Sequence, residues 1–319
     1  MSSRLLEGVF LDFGYGELVM IKSISIIVPC YNCGYRIVKT FQKIEESIAF
    51  FRKYFNRPKP VEIEVIIVDD CSTDKTPDIL SLLHSTGEYQ LKIISHPHNR
   101  GASVARNTGV KASIGEILFF CDGDDFFEAE HILFCYSILN ANLEKKSIVE
   151  VQAPSCHWTV SVPEKRIGYV ATGVKLDPEI HSSWKQILAN SLTINICVHR
   201  ACHEFINGFS EEPIFKIMGG SEDCLYREML DHFFESGRFY DVETVEYKRY
   251  PGNAIDKQMP RVSLPYGEYV GELPHEQEFD NIWFKEKLRT INQDVLMRLE
   301  KKREAYNTLF PQVFKVSDH

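Results

Sequence analysis

Three carboxylates crowd one short stretch, Asp122-Gly123-Asp124-Asp125, directly after the apolar run Ile117 to Cys121. An apolar run of that length reads as a buried strand, so the carboxylates stand at its C-terminal end. Crowded like charges repel, and an oxygen-loving divalent cation relieves them unless water does. Ordinary Asp-Gly turn chemistry gives the same string and leaves a solvated acidic turn as the alternative. A second acidic pair, Glu222-Asp223, follows Gly219-Gly220-Ser221 and opens a helical pattern. Ser221 is the predicted N-cap, and the helix dipole favours ionised carboxylates in the first turn. Helix capping by itself is the competing account of Asp223. A third pair, Asp69-Asp70, leads into Cys71-Ser72-Thr73-Asp74, where Asp70 and Asp74 suit the cap of the next helix.

Cys30 and Cys33 form a Cys-x-x-Cys that could be redox-active or half of a zinc site. No second Cys-x-x-Cys or His-x-x-x-His completes a metal shell. The spacing of His96, His98 and His131 matches no ligand pattern, so packing and hydrogen bonding are their expected work.

Elements must bring these residues together. Ser23 to Pro29 is β-branched and reads as the first strand, and Ile37, Phe41, Ile44, Ile48 and Phe51 recur at helical spacing over Tyr35 to Tyr54. Val61 to Val68 and Leu91 to Ser95 are further strands, each followed by a helix; the second helix spans about Ala102 to Ala112. Strand and helix alternate four times with short connections, which predicts a parallel, right-handed doubly wound sheet. Every strand then ends in polar residues on one rim: Tyr31 and Asn32, Asp69 and Asp70, Asn99 and Arg100, Asp122 to Asp125. A helix near Ala129–Leu143 and a strand near Ser147–Ala153 follow, with 154–176 reading as hairpin and loop. Ile194 to His199 and Glu243 to Tyr247 are predicted strands, and Phe205 to Glu212 a turn with aromatic packing.

Composition sets the outer limits. The chain has 319 residues and a net charge of −9, which argues against general nucleic-acid binding but not against a nucleotide held through a metal ion. No apolar run approaches the roughly 20 residues of a membrane helix. Glu7, Asp12 and Glu17 interrupt any signal-peptide core, so a cytoplasmic location is expected. The nine cysteines are an odd, irregularly spaced set that fits reduced thiols. Residues 256–280 read as a linker or wrapping loop. Phe284, Leu288, Ile291, Val295, Leu299 and Tyr306 then mark a long amphipathic helix. That helix is expected to dock on its own domain or on a second subunit, and Lys301, Lys302 and Arg303 add a peripheral membrane contact as an alternative.

Ile26-Ile-Val-Pro-Cys-Tyr-Asn, Val65-Ile-Ile-Val-Asp-Asp-Cys-Ser-Thr-Asp, Asn99-Arg-Gly-Ala-Ser-Val-Ala-Arg-Asn, Asp122-Gly-Asp-Asp and Gly220-Ser-Glu-Asp resemble, in order, the inverting, nucleotide-sugar-dependent family 2 glycosyltransferases of GT-A fold. The resemblance implies a Rossmann-like, mostly parallel sheet flanked by helices over 23–255, with a nucleotide-binding half at 23–126 and an acceptor-binding half at 127–255. Residues 1–22 would be an N-terminal extension, and 256–319 a linker and C-terminal helix. It further implies that Pro29 and Tyr31 line the base pocket and that Asp70 hydrogen-bonds the base. Arg106 would contact the nucleotide or hold the site together. Asp122 and Asp124 would be the carboxylates for Mn²⁺ or Mg²⁺ and the ribose-diphosphate, and Asp125 would face the donor sugar. Asp223 would be the general base and Glu222 would shape the acceptor pocket.

Chemistry agrees with that division. A nucleoside diphosphate leaves poorly until its charge is offset, and an acceptor hydroxyl needs a carboxylate to take its proton during attack. Family members often carry a metal-binding histidine after the last strand, whereas Tyr247 to Asn253 holds Tyr250 and no histidine. The Gln-x-x-Arg-Trp motif and membrane helices of processive synthases are missing too, which points to single additions to a glycan, a lipid-linked or a small-molecule acceptor. Two other readings compete. One is a nucleotidyltransferase, whose Gly-x-Gly-Thr-Arg loop is absent. The other is a nucleotide-sugar-binding module that has lost catalysis, although Glu222, Asp223, Asp122 and Asp124 are all retained.

Overall fold

The computed structural model describes residues 20–55, 60–218, 220–250 and 282–307. The N-terminal extension up to residue 19, Gly219 and the 256–280 linker lie outside the described residues. The first half alternates as its hydrophobic pattern requires: β1 (Ser23–Cys30), α1 (Arg36–Tyr54), β2 (Glu62–Asp69), α2 (Thr76–Leu80), β3 (Gln90–Ser95), α3 (Ala102–Lys111) and β4 (Ile117–Phe120). β5 (Phe126–Phe127), α4 (His131–Leu143), β6 (Ile148–Ala153), β7 (Cys156–Ser161) and β8 (Ile167–Leu176) follow. Then come α5 (Lys185–Ser191), β9 (Ile196–His199), α6 (Arg200–Phe205), α7 (Pro213–Met218), α8 (Glu222–Phe233), β10 (Glu235–Tyr247) and α9 (Ile282–Asn307).

One sheet carries the molecule, in the order β3-β2-β1-β4-β9-β8-β10-β5, with β6 and β7 as a separate hairpin. β1 pairs parallel with β2 and β4, and β2 with β3. The C-terminal ends of these four strands therefore share one rim. β9 enters antiparallel between β4 and β8. Alternate β1 residues feed two cores: Ile24, Ile26 and Val28 pack with Ile37, Phe41 and Ile44 of α1, and Ile27 packs with Ala105 of α3. Helix cover on both faces explains why every residue of β1 is buried.

The 154–176 segment departs from its sequence reading. β7 does complete a hairpin with β6, but residues 167–176 are a central strand instead of a loop. Gly168 and Gly173 both mark close approaches within it. A Cβ on Gly173 would stand 2.2 Å from the Tyr240 carbonyl oxygen, and one on Gly168 would stand 2.7 Å from the Phe234 Cβ. β10 is also longer than expected, starting at Glu235 and kinked by register shifts between Phe239 and Val245.

α9 docks on its own domain. Ile291 and Leu299 are buried in the core shared with α8, and Asn292 donates to Glu228 at 2.7 Å. Lys302 Nζ donates to the Glu204 and Phe205 carbonyls at 3.2 and 2.6 Å, closing the C-terminal end of α6. Lys302 thus faces inward, and Arg303 pairs with Glu300 at 3.1 Å, which leaves Lys301 alone of the three basic residues on the exposed face. Among the described residues no helix is long and apolar enough to cross a membrane.

Candidate active site

Short hydrogen bonds stitch the four strand ends into one edge. The Asp70 amide donates to the Cys30 carbonyl (2.8 Å), the His96 amide to the Asp69 carbonyl (2.8 Å) and the Gly123 amide to the Pro29 carbonyl (3.1 Å). Asn32 receives the Thr73 amide on its Oδ1 (2.8 Å) and gives its own amide to Ser72 Oγ (2.9 Å). Pro29 is buried at the end of β1, whereas the Tyr31 side chain lies 48% exposed on the rim.

Asp70, expected to meet a nucleotide base, is turned to the protein. It is 2% exposed, and its oxygens take the Arg100 amide (2.8 Å), the Gly101 amide (2.6 Å) and His96 Nδ1 (2.6 Å). His96 Nε2 reaches Thr108 Oγ1 at 3.0 Å. A carboxylate with that many donors braces the loop from His96 to Gly101 and has little capacity for a ligand. Asp74 accepts the Thr76 amide at 2.9 Å, in the first turn of α2.

Arg106 is the hub. It is 3% exposed, and its Nη2 donates to both oxygens of Asp122 at 2.8 and 2.9 Å while Nη1 donates to Glu222 Oε1 at 2.9 Å. Burial opposes its charge, but Asp122 and Glu222 outweigh it and raise its pKa above the ordinary arginine value. The guanidinium also lies over the Phe209 ring at 5.1 Å, and that ring stacks on Tyr226 of α8 at 3.9 Å. The strand-end carboxylate and the α8 pair are therefore held to one another through a single buried cation. Arg106 is no surface helix residue.

Asp125 is 4% exposed and accepts the Lys248 amide at 3.1 Å, which ties it to the end of β10. Burial, then the Asp124 and Asp122 charges, push its carboxyl well above the usual range. The Tyr247 hydroxyl is driven up as well, by burial and then by Asp125, Asp124, Asp223 and Asp122. All four carboxylates thus act on one neighbourhood. Gly123 is required there by space: a Cβ would lie 2.7 Å from Cys33 Sγ. Gly123→Ala is expected to cost about 1–3 kcal/mol of stability by overpacking. The double variant Gly123→Ala/Cys33→Ala should recover most of that loss in a thermal melt, and equal melting of Gly123→Ala and wild type would refute the packing. Cys30 and Cys33 are both buried free thiols in this layer, and interaction with Cys33, then burial, raises the Cys30 thiol far above the ordinary range. Unreactive packing, the expectation from the missing second ligand pair, fits that environment.

Ser221 occupies the predicted N-cap position of α8, but it adopts a left-handed conformation (φ 75°) and its side chain accepts no helix N–H. A non-glycine residue in that region stores strain, and such strain gathers at functional sites. Asp223 instead accepts the adjacent Cys224 amide at 2.8 Å. Burial and the Glu222 charge push the Asp223 carboxyl up to about 7, against the pull of Arg106. A carboxylate poised near neutrality can take a proton from a hydroxyl and release it.

The oxygen set of Asp122, Asp124 and Asp125 is the chemistry a hard divalent cation prefers, and their mutual repulsion is what such an ion relieves. Among the described residues no three His, Cys, Asp or Glu side chains converge as a ready cage. Mg²⁺-type sites commonly use one or two carboxylates and complete the shell with substrate phosphates, so the residues fit an ion that arrives with a phosphate ligand. Arg36, Tyr247 and Lys248 also reach this rim and were missed in the sequence, where they read as ordinary helix-start and strand-end residues. A cation directly after a polar strand end was the available signal for Arg36.

Residues 25–199 match the model of the family described as Glycosyl transferase family 2. Among curated proteins, the Escherichia coli UDP-Glc:alpha-D-GlcNAc-diphosphoundecaprenol beta-1,3-glucosyltransferase WfaP is 28% identical over 195 residues, covering 53% of this chain and 71% of that protein. The putative teichuronic acid biosynthesis glycosyltransferase TuaG of Bacillus subtilis is 32% identical over 109 residues, 34% of this chain and 38% of its own length. In structure, S. aureus TarS 1-349 in complex with UDP-GlcNAc superposes with a TM-score of 0.52 at 18% identity, over 76% of this chain and 62% of that one. Mannosyltransferase PcManGT from Pyrobaculum calidifontis, in complex with GDP-Man and Mn2+, gives 0.52 at 19% identity, over 76% and 61%. These two structures share the fold, and the chain spans well under two thirds of TuaG and slightly under two thirds of each structural neighbour.

Proposed function

The chain belongs to glycosyl transferase family 2, and from that premise we propose that it moves one sugar at a time from a nucleoside-diphosphate sugar to an acceptor hydroxyl with inversion. The observation that carries this reading is the buried Arg106 bridge, which fixes Glu222 and the adjacent Asp223 opposite the Asp122 cluster. One carboxylate with a raised pKa on the acceptor side, and an acidic cluster on the other, is the layout of a single in-line displacement. Asp223 takes the acceptor proton, Glu222 shapes the acceptor pocket, and no enzymic nucleophile is required. Asp125 lies on the donor-sugar side, and the exposed ring of Tyr31 offers a face for the base. Asp124, with Asp122, would hold a divalent cation, which when bound offsets the charge of the departing diphosphate.

UDP-sugars are the favoured donors, because WfaP uses UDP-Glc and TarS binds UDP-GlcNAc. A lipid-linked or glycan acceptor is favoured by the diphosphoundecaprenol substrate of WfaP. The complete acidic set favours an active enzyme over a binding module. A thermal-shift screen of UDP and GDP with and without Mn²⁺ tests the donor reading. A nucleotide at a hundred times its Kd stabilises the fold by about 2.7 kcal/mol. UDP with Mn²⁺ should raise the melting temperature most, and no shift with either nucleotide would sink the proposal.

A further inference from the structure

We propose that Arg36 is a donor-binding residue that contacts the diphosphate and shares with the divalent cation the task of offsetting its charge. This rests on the donor reading above and names a residue that reading does not need.

Arg36 opens α1, immediately after the β1 strand end that carries Tyr31 and Asn32. Its Nη2 donates to the Asn32 carbonyl at 3.0 Å, and its Nε is buried without a partner. A guanidinium has five N–H donors, so most of its capacity is unused. Among the described residues Arg36 has no carboxylate partner, unlike the two cations bound to the acidic residues of the site. Arg106 is saturated by Asp122 and Glu222, and Lys248 Nζ is held by Glu246 at 2.7 Å and Asp177 at 3.5 Å. A half-buried cation without a counter-ion is costly unless an anion joins it.

Its position indicates which anion. The Arg36 guanidinium stacks over the Tyr250 ring at 4.8 Å. Gly123, between Asp122 and Asp124, is seated against the start of α1: a Cβ on it would lie 2.7 Å from Cys33 Sγ and 3.5 Å from Ile37 Cδ1, and the Arg36 amide donates to the Cys33 carbonyl at 3.1 Å. The start of α1 that carries Arg36 thus packs against the loop of the carboxylates that would hold the ion and the leaving group. The stack fixes the plane of the guanidinium and lowers the entropy lost when it binds. A diphosphate lodged against Asp124 through a cation presents oxygens to both positive groups. A planar fork of donors matches phosphate oxygens better than any other side chain.

The test is direct binding of UDP and of uridine, each with Mn²⁺ and with chelator, to wild type, Arg36→Gln and Arg36→Lys. Charge-assisted hydrogen bonds of this kind correspond to about a tenfold or larger change in affinity. Arg36→Gln should weaken UDP about tenfold without metal and less with Mn²⁺, with uridine unaffected and Arg36→Lys in between. A thermal melt matching wild type shows that the variants fold. Unchanged UDP affinity in Arg36→Gln, or an equal loss for uridine, overturns the assignment while leaving the donor reading intact. Failure of the wild type to bind any nucleotide overturns both.

Discussion

Asp223→Asn is expected to lower kcat by about 10²–10⁴-fold, the range of a lost general base, with nucleoside-diphosphate affinity unchanged. Asparagine keeps the shape of the side chain and can still meet the Cys224 amide, but it cannot accept the acceptor proton. The pH profile supplies the independent check. The base must be unprotonated, and its carboxyl is pushed up to about 7 by burial and by Glu222. Activity in wild type should therefore fall about tenfold per pH unit below that value and level off above it. The limb should vanish from the residual rate of the variant. Stability moves the other way. A carboxyl whose folded pKa exceeds its unfolded value contributes stability that is complete below the unfolded pKa, near 4, and is lost as pH rises through 7. Asp223→Asn should thus melt no lower than wild type at pH 8, which separates lost chemistry from lost fold. Unchanged turnover, or a retained acid limb, would remove Asp223 from the mechanism.

Arg106→Met is expected to damage both fold and function. It deletes the cation between Asp122 and Glu222, leaving a nearly buried glutamate and a partly exposed aspartate without their partner. Breaking a fully buried pair costs about 3–5 kcal/mol, and the 38% exposure of the Asp122 side chain reduces that to about 2–3 kcal/mol. For a chain of this size the melting temperature should drop by roughly 4–12 °C. Arg106→Lys should recover stability only in part, because one ammonium cannot span both carboxylates with a fixed fork. The triple variant Arg106→Met/Asp122→Asn/Glu222→Gln should melt above Arg106→Met. If it does not, the bridge is not what holds these elements together.

The sequence carried the architecture of residues 23–126 almost entirely. Short apolar, β-branched runs alternating with helical periods, joined by short connections, leave only the right-handed parallel arrangement, and that arrangement places all four strand ends on one edge. The second half was less legible for identifiable reasons. β8 is buried on both faces, so it lacks alternation, and its two glycines stand where neighbouring backbone and side chains come close. α5, α6 and α7 are only six or seven residues long, too short for a helical period to register.

Within the site, the chemical groups present are legible in the chain: carboxylates at a strand end, a Glu-Asp pair at a helix start, and an arginine on the helix that precedes both. Tertiary structure decided what each group is bonded to. Arg106 meets partners 16 and 116 residues away, a distance in sequence over which no local pattern constrains side-chain direction. Asp70 has the same residue type and strand-end position as a ligand-binding aspartate, yet three protein donors engage it. The pKa near 7 at Asp223 belongs to burial and to Glu222 together, and burial exists only once α8 packs on the sheet. The strand-end cluster is therefore a property of the chain order, and its division of labour is a property of long-range packing around one buried guanidinium.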